Sequence, residues 1–246
     1  MLTDDQLLRY SRQILLPDID IEGQEKIAAA TVLIVGAGGL GNPAALYLAG
    51  AGVKKIILCD GDQLENSNLH RQIAFRESQE GESKVSALAA QLSALNSEVD
   101  IEVAEAFADE AWLATVLPQV SMALDCTDNF ATRSLINRLC WKHKVPLISG
   151  AAIRFEGQLA VFDFRDPENG CYACLYGDGD GPDTLCSESG ILGPVVGIVG
   201  TMQALQAIKL ICGLPVDKKL YLFDGKHMTW QSMAFRKDSM CPVCAR

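Results

Sequence analysis

Thr31-Val32-Leu33-Ile34-Val35-Gly36-Ala37-Gly38-Gly39-Leu40-Gly41 is the stretch that decides the fold. Five β-branched or apolar residues run straight into a G-x-G-x-x-G turn, and the residues from Leu40 to Ala49 carry helical apolar spacing. A strand that passes through glycines into a helix brings unpaired helix N–H groups close to an anion, because nothing at Gly36, Gly38, Gly39 or Gly41 blocks the approach.

The same alternation continues outward from this turn. Strands are expected at 31–35, 55–59, 99–103, 121–125 and 146–149, with helices at 40–49, 84–95, 110–117 and 130–142 between them. Strand and helix in alternation predict an α/β fold, a doubly wound Rossmann-like and mostly parallel sheet. After Gly150 the pattern changes. Strands at 158–164, 219–223 and 229–235 surround a long apolar helix, and mixed or antiparallel pairing is expected there. At the other end Thr3 followed by Gln6 reads as a capping box for a helix through Leu15, presenting Arg9 and Arg12 on an early arm able to reach a neighbouring subunit. One domain over 1–246 is expected, in two halves, 1–150 and 151–246.

Composition excludes several classes. The chain has 246 residues, 49% hydrophobic and 21% charged, enough apolar material for a large core. Its formal net charge of −10 repels nucleic acid and anionic lipid at long range, so no nucleic-acid or membrane partner is expected and an anionic ligand must be held locally. Met1 to Tyr10 is too polar for a secretory signal, which places the protein in the cytoplasm. The charge-free run from Ser189 to Ile208 is long enough for a membrane span but contains Pro194, Gln203 and Gln206, and reads as a buried helix. Its Gly193, Gly197, Gly200 and Ala204 form a small-residue stripe suited to close packing.

On the glycine turn alone the expected ligand is NAD or FAD. The residues downstream argue for a triphosphate. Asp60, ending the second strand, can accept hydrogen bonds from a ribose. Asp62, Asn68, Arg71, Gln72 and Lys84 add amides and cations suited to phosphates. Asp125-Cys126-Thr127-Asp128-Asn129 ends a further strand, at the edge where open α/β sheets bind ligands. Asp128 suits a magnesium ion bridging phosphates, although Asp128 or Asn129 can equally cap the next helix.

Nine cysteines in a chain without an export signal read as thiols or metal ligands. Cys171-x-x-Cys174 and Cys241-x-x-Cys244 supply four thiolates, the complement of a closed structural zinc site. Cys59, Cys126, Cys140 and Cys212 fall within or at the ends of apolar elements and read as core residues. Cys186 follows a Gly- and Asp-rich loop over 177–185, expected to be mobile, in a polar setting that suits a reachable thiol, with no histidine beside it to act as base.

These residues resemble the ThiF/MoeB/HesA proteins, bacterial relatives of the ubiquitin-activating enzymes, over nearly the whole chain. The resemblance rests on Arg9 to Gln13, the Gly36 turn, Ser67-Asn68-Leu69-His70-Arg71-Gln72, Lys84, Asp125 to Asn129, Ser149 to Ala152 and both cysteine pairs. It implies ATP-dependent adenylation of the C-terminal glycine carboxylate of a ubiquitin-like sulfur-carrier protein ending in Gly-Gly, with release of pyrophosphate and later sulfur transfer from a separate sulfur-donor protein. It further implies that Asp60 holds the ribose, Asn68, Arg71 and Lys84 the phosphates and Asp128 the magnesium, that Arg12 comes from the other subunit of a homodimer, and that Cys186 joins the carrier during sulfur transfer. Residues 44–52, 193–197 and 222–226 are more similar to the ThiF branch, which serves thiamine thiazole synthesis. Residues 150–154 and 156–158 are more similar to the MoeB branch, which serves molybdopterin synthesis, and the ThiF branch is favoured. His70 stands where many relatives carry glutamine. An NAD- or FAD-dependent oxidoreductase and a non-catalytic zinc-stapled subunit are the competing readings.

Overall fold

The computed structural model describes residues 1–177 and 189–245. Eight strands form one sheet, comprising β1 (Thr31–Val35), β2 (Lys55–Cys59), β3 (Asp100–Ala104), β4 (Met122–Asp125), β5 (Leu147–Ile153), β6 (Glu156–Phe162), β7 (Lys219–Asp224) and β8 (Thr229–Ala234). Their spatial order is β3-β2-β1-β4-β5-β6-β7-β8. The first five are parallel and β5 through β8 pair antiparallel. The helices are α1 (Asp4–Arg9), α2 (Ser11–Ile14), α3 (Asp20–Ile27), α4 (Gly41–Ala51), α5 (Lys84–Leu95), α6 (Glu110–Val116), α7 (Phe130–His143), α8 (Tyr172–Tyr176) and α9 (Gly193–Cys212).

A parallel strand covered on both faces needs apolar residues at every position, and β1 meets that need. Val32 and Ile34 enter one hydrophobic cluster with α4, α5 and α9, while Leu33 and Val35 enter a second with α6 and α7. Polarity is confined to the strand ends, so the functional groups gather along the carboxyl edge of the sheet. Order 3-2-1-4-5 places its topological switch point between β1 and β4, where their following turns part to opposite faces.

The glycine turn is built for closeness. Gly36 has φ of +98°, and a Cβ there would lie 2.6 Å from the Cys126 carbonyl oxygen; one on Gly41 would lie 1.9 Å from the Gly36 carbonyl oxygen. Gly41→Ala is therefore expected to cost more than about 2 kcal/mol, since both colliding groups are backbone. Thermal unfolding checks this, and a variant as stable as the parent would contradict the packing.

α9 is the long apolar helix, starting at Gly193 rather than Ser189. By length and composition it passes as a membrane span, but 56% of its apolar window is buried inside the molecule. A Cβ on Gly200 would meet the Leu40 carbonyl oxygen at 2.2 Å and one on Gly193 the His70 carbonyl oxygen at 2.5 Å, whereas Gly197 has nothing within 4 Å. The small-residue stripe thus serves packing at Gly193 and Gly200 and not at Gly197.

One expectation needs correction. The N-terminal helix stops at Tyr10 instead of running through Leu15, although its Thr3–Gln6 capping box is present. Tyr10 is buried against Gly52 with its hydroxyl accepting from Asn96 Nδ2 at 2.9 Å, and anchoring that side chain breaks the helix into two. The division at residue 150 falls inside β5, which continues to Ile153 because β6 pairs with it throughout. The expected loop at 177–185 and Cys186 lie, apart from Gly177, outside the described residues.

Candidate active site

A cavity of ≈1360 Å³ opens along the carboxyl ends of β3, β2, β1, β4 and β5. Gly36, Gly38, Gly39, Asp60, Asp62, Ser67, Asn68, His70, Arg71, Gln72, Lys84, Asp128 and Asn129 all line it. Three of the expected site residues do not. Leu69 packs against the hydrophobic core, Gly41 serves the turn's packing, and Arg12 sits exposed on α2. The neighbouring Gln13 donates to the Ala51 carbonyl at the far end of α4, about 16 Å from the glycine turn for an 11-residue helix.

Asp60 fixes the turn and the segment after it. Its Oδ2 accepts from the Ala37 amide at 2.7 Å and its Oδ1 from the Asp62 amide at 2.9 Å. Burial raises its pKa above the usual carboxylate range, with those amides and Lys84 pulling the other way. Lys84 opens α5 almost fully buried and donates to Asp62 Oδ2 at 2.7 Å, so Asp62 holds the ammonium at the cavity wall. Arg71 donates to the Ser67 carbonyl at 3.0 Å and stands 3.0 Å from His70 Nε2. Asn68 accepts the Glu65 amide at 3.2 Å, shaping the turn that presents Arg71. Gln72 keeps a buried Oε1 with no hydrogen-bond partner among the described residues.

At β4 the choice of helix cap is decided. Asn129 caps α7 by accepting the Thr132 amide at 2.9 Å, leaving Asp128 exposed on the cavity wall. Asp125, almost fully buried, accepts from the Thr127 amide and hydroxyl and from Ser149, and Arg133 lies 3.7 Å away. This carboxylate orients the loop that carries Asp128.

Several residues in this machinery were not found by reading the sequence. Asn42, fully buried, donates to the Ala37 carbonyl at 2.8 Å and accepts from the Ala74 amide at 2.9 Å, tying the glycine turn to the segment bearing Arg71 and Gln72. Gln203 on α9 donates to the carbonyls of Asp125 and Ile148, fastening the ends of β4 and β5. An asparagine inside a helical pattern and a glutamine inside an apolar one were the available signals, since neither is buried without partners.

The four expected zinc ligands converge. Cys171, Cys174, Cys241 and Cys244 have all their Sγ atoms within 4.8 Å of one another, with Cys171–Cys241 at 3.6 Å and Cys174–Cys244 at 3.3 Å. A tetrahedron with Zn–S bonds of about 2.3 Å has edges of about 3.8 Å, so the arrangement fits zinc and is too open for disulfides. The Cys171 and Asp238 amides both point at Cys174 Sγ. Cys59, Cys126, Cys140 and Cys212 are buried, and burial raises each thiol's pKa, Cys59 to about 12, which keeps them protonated.

Known proteins share this architecture and its sequence. An Escherichia coli K12 protein named sulfur carrier protein ThiS adenylyltransferase is 45% identical over 99% of this chain and 97% of its own. The Escherichia coli molybdopterin-synthase adenylyltransferase is 40% identical over 100% and 99%. In the mosquito Anopheles gambiae, adenylyltransferase and sulfurtransferase MOCS3 is 41% identical over 99% of this chain, which spans 56% of that protein. Among solved structures, Escherichia coli MccB with a MccA-derived ligand superposes with a TM-score of 0.83 at 25% identity, over 98% of this chain and 75% of MccB. The ThiF family model matches residues 10–243, from the buried Tyr10 to within the second cysteine pair, and the chain belongs to the ThiF family.

Proposed function

We propose that this chain is an adenylyltransferase that uses ATP to activate the C-terminal glycine carboxylate of a ubiquitin-like sulfur-carrier protein ending in Gly-Gly. The observation that carries the reading is the convergence of Arg71, Lys84 and Asp128 on one cavity around the glycine turn. Two cations and an exposed carboxylate lining the same cavity suit a magnesium-bound triphosphate better than a dinucleotide, and a non-catalytic subunit has no need to retain them. Relatives named as adenylyltransferases of sulfur carriers support the same reaction.

In this reading a carrier carboxylate oxygen attacks the α-phosphorus of ATP. A new P–O bond forms as the α–β bridging P–O bond breaks, and its electron pair leaves with pyrophosphate. The acyl adenylate remains. Asp60 accepts from the ribose hydroxyls through lone pairs that its two amide donors leave free. Gly38 and Gly39 let the phosphates approach the N-terminus of α4, and Ser67, Asn68, His70 and Gln72 shape the wall beside them. Arg71 and Lys84 face the charge that grows on the leaving pyrophosphate, so they stabilise the transition state more than the bound substrate. Exposed Asp128 is the residue that would hold a magnesium ion, which would supply charge neutralisation on the phosphates. Asp62 is a positioning residue, keeping Lys84 aimed until phosphate competes for it.

Arg12 cannot reach its own cavity from the far end of α4, so it serves a second copy in a homodimer. Exposed Leu8, Leu15, Leu16 and Ile21 on the same arm suit such an interface. Residues 1–150 form the nucleotide half of a single adenylation domain, and residues 151–246 the carrier-binding and zinc half. Cys186 is the candidate for covalent capture of the carrier while a separate protein donates sulfur, in the cytoplasm, and no nucleic-acid or membrane partner is involved. The thiamine thiazole branch is favoured by the 45% identity to the ThiS enzyme against 40% to the molybdopterin one. ATP–pyrophosphate exchange run in parallel with a ThiS-like and a MoaD-like carrier tests this. Faster exchange with the ThiS-like carrier is expected; faster exchange with the other reassigns the branch, and exchange with neither overturns the function.

A further inference from the structure

Arg133 stands on α7 at the cavity wall, a charged side chain only 8% exposed. A guanidinium withdrawn from water is costly unless its donors are met, and here they are met by the loop after β4. Arg133 donates to the Thr127 carbonyl and lies 3.7 Å from Asp125 Oδ2. Asp125 Oδ1 in turn accepts from the Thr127 amide at 3.1 Å and from its hydroxyl at 2.7 Å. Thr127 is therefore gripped on both sides, its carbonyl by the cation and its amide by the carboxylate. That carbonyl shares a planar peptide unit with the Asp128 nitrogen, so its direction sets where Asp128 departs from the loop. Asp128 makes no side-chain hydrogen bond or ion pair of its own among the described residues, and its place depends on the backbone that carries it.

The first cysteine pair holds Arg133 from the other side. Tyr172, between Cys171 and Cys174, is buried, and its hydroxyl meets the Arg133 side chain. Burial raises the pKa of that hydroxyl while the Arg133 charge lowers it, as expected of a phenol set against a cation. The ring is fixed by Phe130 at a centroid distance of 5.9 Å, Phe162 at 6.3 Å and Tyr176 at 4.6 Å. Its backbone is fixed as well, since the Tyr172 amide donates to Oδ1 of buried Asn137 at 2.9 Å. Phe130, Arg133 and Asn137 follow at intervals of three and four residues, so a single face of α7 meets the cysteine pair and the Asp128 loop together.

We propose that Arg133 is a positioning residue for the magnesium site, aiming the Asp128 carboxylate through the Thr127 carbonyl, and that Tyr172 ties this aim to the Cys171–Cys174 pair. The inference rests on the Mg-ATP reading given above and adds what sets the Asp128 carboxylate in place. A movement of the cysteine pair reaches the magnesium loop through two side chains, Tyr172 and Arg133. Lysine in place of Arg133 keeps the charge but replaces a planar fork with a point donor, so it cannot span Thr127, Asp125 and Tyr172 at once. Phenylalanine in place of Tyr172 keeps the packed ring and deletes only the hydroxyl.

Equilibrium binding of ATP by calorimetry, in EDTA and again in excess magnesium, separates aim from general damage. Magnesium is expected to tighten ATP binding to the parent protein. Arg133→Lys should weaken ATP about tenfold or more in magnesium, the usual effect of losing an outer partner of a metal ligand, while its affinity in EDTA matches the parent. Tyr172→Phe should weaken it about two- to tenfold in magnesium only, as for the loss of one hydrogen bond. Both variants should keep the parental zinc content by elemental analysis. In an Asp128→Ala background neither substitution should change ATP affinity further, because the group they aim is gone. Parental affinity in magnesium for Arg133→Lys, equal losses in EDTA and in magnesium, loss of zinc, or additive losses in Asp128→Ala overturn the inference. Parental affinity in Tyr172→Phe overturns the link to the cysteine pair. Should Arg133→Lys fail to fold, Tyr172→Phe alone and combined with Asp128→Ala carry the same test. A parent protein that binds no ATP, or binds it equally with and without magnesium, instead overturns the Mg-ATP reading beneath it.

Discussion

Arg71→Ala and Lys84→Ala are each expected to lower carrier-dependent ATP–pyrophosphate exchange by about a hundredfold to a thousandfold or more, with little change in thermal stability. The size follows from losing a cation aimed at charge that develops in the transition state, where a single preorganised donor already accounts for such factors. The small stability effect follows from local geometry. Arg71 anchors through the Ser67 carbonyl, and the partner of Lys84 is Asp62, whose side chain is 51% exposed. Removing Lys84 therefore leaves a carboxylate that water can reach and not a buried unpaired charge. Lys84→Arg keeps the charge but cannot keep both the buried stem and the Asp62 contact, so partial activity is expected of it. Asp62→Ala should cost less than Lys84→Ala, because it frees the ammonium without deleting it. Exchange at the parental rate in either alanine variant would remove both residues from the chemistry, and a collapse of the melting temperature would assign them to folding.

Loss of zinc is the second large effect. Purified protein should carry one zinc per chain by elemental analysis, and Cys244→Ser or exhaustive chelation should lower the melting temperature by about 10 °C or more. Cys241 and Cys244 lie 70 residues from Cys171 and Cys174, with α9, β7 and β8 between the pairs. Residues 235–245 contribute no strand or helix of their own and are held by the cysteine cluster, Val243 and the Phe162–Phe235 ring contact, so a zinc ion in that cluster would be a strong tie for the chain end. Structural zinc contributes about 10–16 kcal/mol to small finger peptides. In a domain with two large apolar clusters only part of that is expected to appear, and a loss of ~3–5 kcal/mol corresponds to the stated shift. Without metal the thiols are gathered with nothing to coordinate, and β8, exposed along its whole length, loses the segment that follows it. Metal-free protein that melts with the parent would refute a structural role.

Much of the fold was legible because the central parallel strands β1, β2 and β4 are buried on both faces. β1, β2 and α5 match the expected ranges residue for residue. Elements defined by partners were not legible in this way. β5 gains Gly150 to Ile153 through pairing with β6, although that stretch contains no strong strand former before Ile153. α3 carries little apolar periodicity, yet its Gly23 allows close contact with Cys212 at the end of α9, 3.4 Å from where a Cβ would sit. Tyr10 ends α1 for a reason 42 residues distant, at Gly52.

The chemistry divides along the same line. Residue type and spacing alone singled out the glycine turn, Asp60, the two cations and Asp128, which line one cavity, and the four cysteines, whose sulfurs converge, because phosphate and zinc demand particular groups at particular spacings. Sequence could not tell which of Asp128 and Asn129 caps α7, that Leu69 faces the core, that Asp62 steers Lys84, or that Asn42 and Gln203 lock the cavity walls together. Each of those depends on which atoms lie within hydrogen-bonding distance across elements distant in sequence, and only the packed sheet and helices set those distances.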